Sequence, residues 1–238
     1  MNGIRLWALL GILLALAVSV AQPTLSRASN PSYAQMAPLS SYFMSRDAEI
    51  AMAQSAAPSA ISLHASIMVL GPRGYESAQK GSNGFTCLVE RAWMSPFGST
   101  EFWNYKMRGP ICYNAAASST ILVYTVRRTG MALSGATKSQ MLDRINAAVA
   151  AGQLPTPKPG SMSYMMSKQG NLGDGVGPWV SHLMFYAPKG DTAKAGASWG
   201  ADLPGSPVIF DTSHGKMPEP ETIFMVPVAR WSDGTHSP

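Results

Sequence analysis

Apolar residues run unbroken near the start of the chain and afterwards fall into short periodic blocks separated by Gly, Pro and Ser. The unbroken block, Leu6 to Val20, follows Arg5 and ends at Ser19-Val20-Ala21. A basic start, an apolar middle and small residues at the end make a cleavable secretory signal over 1–21. The run is shorter than the roughly 20 residues of a membrane span, which disfavours a retained anchor. Residues 22–44 are rich in Ser, Pro and Ala and lack apolar periodicity, which predicts a disordered leader ahead of one domain over 45–238.

Inside that domain the pattern alternates between periods. Helix formers from Arg46 to Ala57, with Ser45 as N-cap and Pro58 as stop, predict a helix. Ile61 to Leu70 reads as a strand ended by Gly71-Pro72. Phe85 to Trp93 alternates strictly, with Phe85, Cys87, Val89, Arg91 and Trp93 on one face and Thr86, Leu88, Glu90 and Ala92 on the other. Tyr75 to Lys80 is expected to pair with it through a hairpin loop at Gly81-Ser82-Asn83-Gly84. Ser118 to Leu133 mixes a β-branched run with helical length and is read as a helix. A capping box at Thr137 to Gln140 opens a second helix, with Met141, Leu142, Ile145, Ala148 and Val149 at helical spacing. After the Pro-rich stretch 155–159, the C-terminal third reads as wholly β, over 161–167, 180–187, 207–211 and 222–231. The fold class is therefore α+β, a mainly antiparallel sheet packed against two or three helices.

Composition narrows the setting. The chain is 46% hydrophobic and only 13% charged, against roughly 25% charged in an average soluble protein. That balance suits an exported protein with a neutral polar surface. The net charge is +5, but Lys and Arg are scattered, so no basic stripe for nucleic acid is expected. Two cysteines in a chain bound for an oxidising compartment predict a Cys87–Cys112 disulfide. It would staple the strand to a loop at Ile111-Cys112-Tyr113, stabilising the fold by roughly 3.5 kcal/mol on the chain-entropy model.

Candidate chemistry is sparse. No HExxH or phosphate-loop pattern occurs. His182 falls on a strand face with Val180, Met184 and Tyr186, where it can act as a structural ring or as a general base. His214 and Asp211 are its candidate partners in a hydrolase or metal-dependent enzyme. Gly170 to Pro178 holds four glycines around Asp174 and reads as a flexible connection. Met162, Met165 and Met166 do not converge on one strand face, so packing is favoured over copper ligation. Glu90 (beside Arg91), Glu101, Glu219 and Glu221 could do glycosidase chemistry if two of them lay roughly 5–9 Å apart across a cleft, but Glu219 and Glu221 in MPEPE read as a solvated turn. The aromatics Trp93, Phe102, Trp103 and Tyr105, pinned near the disulfide, form the candidate contact surface. The expectation is a secreted or periplasmic, non-enzymatic module that binds an envelope or extracellular partner, with no cofactor, metal or nucleic acid; a small hydrolase using His182 is the alternative.

Overall fold

The computed structural model describes residues 33–174, 180–190, 192–201, 203–210 and 217–238. The expected signal and the first part of the expected leader lie outside them. Eight strands form one sheet: β1 (Ser66–Gly71), β2 (Gly74–Gln79), β3 (Thr86–Glu90), β4 (Gly109–Tyr113), β5 (Met162–Met165), β6 (His182–Pro188), β7 (Ile209–Phe210) and β8 (Glu221–Pro227). Their order is β2-β1-β3-β4-β5-β6-β8-β7. Every pairing is antiparallel except β1 with β3. The helices are α1 (Arg46–Gln54), α2 (Ser59–Ser62), α3 (Ala115–Ser118), α4 (Ile121–Leu133), α5 (Lys138–Ala150) and α6 (Thr192–Trp199). The class is α+β, as the alternation of periods indicates.

Each face of the sheet carries its own core. On one side α1 lays Ala53 against Ile67, Cys87, Val89 and Cys112, all buried. On the other, Tyr124, Met131 and Ala132 of α4 and Met141, Ile145 and Ala148 of α5 meet Leu88, Ile111 and Tyr113. The ambiguous run 118–133 is helical because Ile121, Tyr124, Thr125, Arg128 and Ala132 recur on one buried stripe. Thr137 and Gln140 form the expected capping box. Cys87 and Cys112 are bonded, and they sit directly opposite each other on β3 and β4. The segment 109–113, expected to be a loop, is thus a fully buried strand; its apolar centre is too short to show a period.

Several expectations change. Residues 33–44 are not a disordered leader: Tyr33 and Tyr42 are buried, and Tyr42 donates to the Trp103 carbonyl at 2.8 Å. Aromatic side chains bring enough apolar area to fix a segment whose average composition is polar. β1 begins at Ser66 because Pro58 starts the helical turn α2, in which Ile61 N donates to the Pro58 carbonyl. β2 pairs with β1, since Pro72 and Arg73 turn the chain back at once, and not with β3. β3 instead runs parallel beside the start of β1. The chain crosses back at Gly81, where a Cβ would lie 2.2 Å from the Ser66 nitrogen, so only glycine fits. The C-terminal third is not wholly β, because TAKAGASW forms α6. Among the described residues no helix is long and apolar enough to cross a membrane.

Candidate functional site

Three of the four aromatics expected at the surface are interior. Trp93, Phe102 and Trp103 are buried, and only Tyr105 reaches solvent, at 37% exposure. Phe102 packs edge-on to Trp103 at 4.8 Å and lies 5.0 Å from Phe97. The Trp93 indole N–H donates to Thr129 Oγ1 at 2.9 Å. Trp93 anchors this aromatic cluster on α4.

His182 is buried in β6 with Nδ1 2.8 Å from the Val180 carbonyl. Burial pulls its pKa below the ordinary value. It sits opposite Met165 and Pro227 on the neighbouring strands. Its proposed partners Asp211 and His214 lie outside the described residues, as do 175–179 of the glycine loop. The described part of that loop is a tether: Asp174 accepts from the Tyr33 hydroxyl at 2.7 Å and pairs with Lys106 at 3.1 Å. Among the described residues no group of three His, Cys, Asp or Glu could hold a metal ion.

The unexpected chemistry lies under α4. Pro220 sits at the centre of a tight turn in which Glu221 N donates to the Glu219 carbonyl at 2.8 Å. Glu219 meets Arg128 of α4 and one Glu221 oxygen is sealed from solvent, so the reading of a solvated turn is corrected. Glu219 is buried, and Arg128 grips it through Nε and Nη2, both at 2.7 Å. The same guanidinium donates to the Trp93 and Ser95 carbonyls at 3.0 and 2.8 Å and lies over the Phe97 ring. Arg128 is thereby fully engaged. Glu90 reaches the same interior from β3, accepting from Tyr113 at 2.6 Å and Thr125 at 2.9 Å, and burial raises its pKa.

Glu221 is half-buried, and among the described residues its Oε2 is sealed from solvent with no hydrogen bond. Burial pushes its pKa up to about 8, helped by the nearby Glu219 and Glu90 charges and opposed by Arg128 and Lys189. The site favours the protonated carboxyl. Burying a carboxylate without a partner costs more than holding a proton on it.

A second feature is external. Trp199, at the end of α6, stacks on Phe224 with centroids 4.2 Å apart and planes 16° from parallel, yet remains 53% exposed. One indole face rests on the core and the other is open. Leu203, 63% exposed, follows in the turn after Gly200.

No family model matches this chain, and neither a curated protein nor a solved structure matches it. Both features were hidden in the sequence for separate reasons. Arg128 did leave a signal, a lone guanidinium inside the apolar stripe of α4. Trp199 falls between the expected strands 180–187 and 207–211, in a stretch with the composition of a turn.

Proposed function

We propose that the protein is a non-enzymatic binding module of an extracytoplasmic compartment, and that its contact surface is the open face of Trp199. The observation that carries this reading is the indole's geometry: a flat ring braced by Phe224 and half open to solvent. A braced aromatic face is preorganised, so binding to it costs little side-chain entropy. Sugars stack their C–H faces on such rings, and a surface with few charges suits a neutral glycan more than an ionic partner. The apolar leader and the disulfide support the compartment. His182, buried against a main-chain carbonyl, is in the environment of a structural ring.

The test is retention of the purified chain on insoluble cell-wall and plant glycans. Wild type is expected to be retained and Trp199→Ala to wash through, with Tm lowered by only a few degrees. Equal retention of the two proteins, or none by either, would overturn the reading.

A further inference from the structure

We propose that the ligand met by Trp199 is an extended neutral glycan several sugars long, and that it lies along a trough on the Trp199 face of the sheet with Tyr164 and Phe185 as further contacts. The proposal rests on the Trp199 reading and adds to it the length of the ligand. α4 and α5 close one face of the sheet, while the other is covered at its flanks. There α1 lays Ala53 against β1, β3 and β4, and Trp199 of α6 stacks on Phe224 of β8. β5 and β6 run between these two covers. Burial along β5 marks the gap: Ser163 and Met165, which turn to the α4 side, are buried, whereas Met162 and Tyr164, which turn the other way, are half-buried. Leu183 and Phe185 of β6 share that side and are half-buried too.

Register joins these residues into one floor. Side chains directly opposite in neighbouring strands point to one face; Phe185 is paired with Met162 on one side and Phe224 on the other, and Tyr164 is paired with Leu183. A sheet face left to water carries polar residues at such positions, yet this one offers a methionine, a leucine and two rings. Ring pairs stand at both ends: Phe85 lies 6.1 Å from Tyr164, and Trp199 lies on Phe224. Within the described strands β5, β6 and β8, no Asp, Glu, Lys or Arg falls on this face. An ionic partner would meet no counter-charge there, whereas the C–H faces of neutral sugars stack on rings. β5 and β6 are interior strands paired on both sides, so a peptide cannot add to them as a further strand. β3, which Phe85 precedes, is four strand spacings from β8, or about 19 Å, a distance that several linked sugars cover and one does not.

Calorimetric titration with oligosaccharides, disaccharide to hexasaccharide, cut from each insoluble glycan of the retention assay separates the two readings. Wild-type affinity is expected to rise by about tenfold or more with chain length, since two further rings add contact. Tyr164→Ala and Phe185→Ala should each remove most of that rise and leave disaccharide binding at the wild-type level. Where an alanine variant fails to fold, Tyr164→Leu and Phe185→Leu keep the bulk and remove the ring. Affinity that does not grow with length, or leucine variants that keep the whole rise, would overturn the trough and leave the Trp199 surface standing. Absence of retention, or retention that Trp199→Ala does not change, removes that surface and the trough with it.

Discussion

Two buried ion pairs hold the two faces of the sheet, and they differ in one carboxyl group. Glu49 with Arg91, and Glu219 with Arg128, are equally withdrawn from solvent, each arginine at 0% and each glutamate at 1% side-chain exposure. The first pair is complete: Glu49 accepts from Arg91 at 2.8 Å and from Leu70 N at 3.1 Å, while Arg91 also donates to the Tyr42 and Val89 carbonyls. Its charged neighbour Arg108 has a pKa lowered to about 10, largely by burial, and stays a cation near neutrality. The second pair shares its charge environment with Glu221, whose carboxyl burial pushes up to about 8. Burial alone therefore does not make a region responsive to protons; a surplus ionisable group does.

The largest expected effect comes from removing the guanidinium on either side. Arg91→Met and Arg128→Met should each cost about 3–5 kcal/mol in urea unfolding, because each strands a buried carboxylate. The Arg128 variant is expected to lose more near pH 8 than in mild acid, whereas the Arg91 variant should lose the same at both; identical pH behaviour would break the comparison. Next comes Glu221→Gln, expected to be more stable than wild type above the raised pKa by on the order of 4 kcal/mol and equal to it in acid. The sign follows from the raised pKa: the stability this group contributes is fully present below 4.5 and is lost as pH climbs toward about 8. His182 acts in the opposite sense, since its lowered pKa means that the neutral ring's contribution is present above 6.5 and lost as pH falls. Glu221→Gln should thus flatten only the rising-pH side of the wild-type profile.

Replacing both cysteines with alanine, on the Arg91 face, should cost about 3.5 kcal/mol by reopening the loop between positions 87 and 112. That loss should not vary between mild acid and pH 8. The smallest change is Tyr113→Phe, which takes one hydroxyl donor from Glu90 and should cost about 1–2 kcal/mol in the same unfolding assay.

The sequence was most readable where one short-range pattern decided the structure. The capping box at Thr137, the alternation over Thr86–Glu90 and the cysteine pairing each depend on local spacing or on compartment, and each appears in the fold, whereas the expected strand stops short of Trp93, which packs in the opposite core. Residues whose role depends on distant partners are not legible from local pattern. Arg128 meets Glu219 across 91 positions, and Arg91 meets Glu49 across 42. A Pro-flanked acidic run has the composition of a surface turn, and nothing local shows that α4 will cover it. Tyr42 and Trp103 were misread in the same way: each is buried by the other's segment, 61 positions away. The aromatic loop had the composition of a contact surface, but large rings are also what a core recruits first.

Glu221 is expected to hold a proton at neutral pH while Glu219 is gripped by Arg128. A carbon-detected NMR titration of the glutamate side-chain carboxyls, with Glu221→Gln used to assign the resonance, measures it directly. The account predicts a Glu221 transition near 8, and a transition in the ordinary carboxylate range near 4.5 would contradict it.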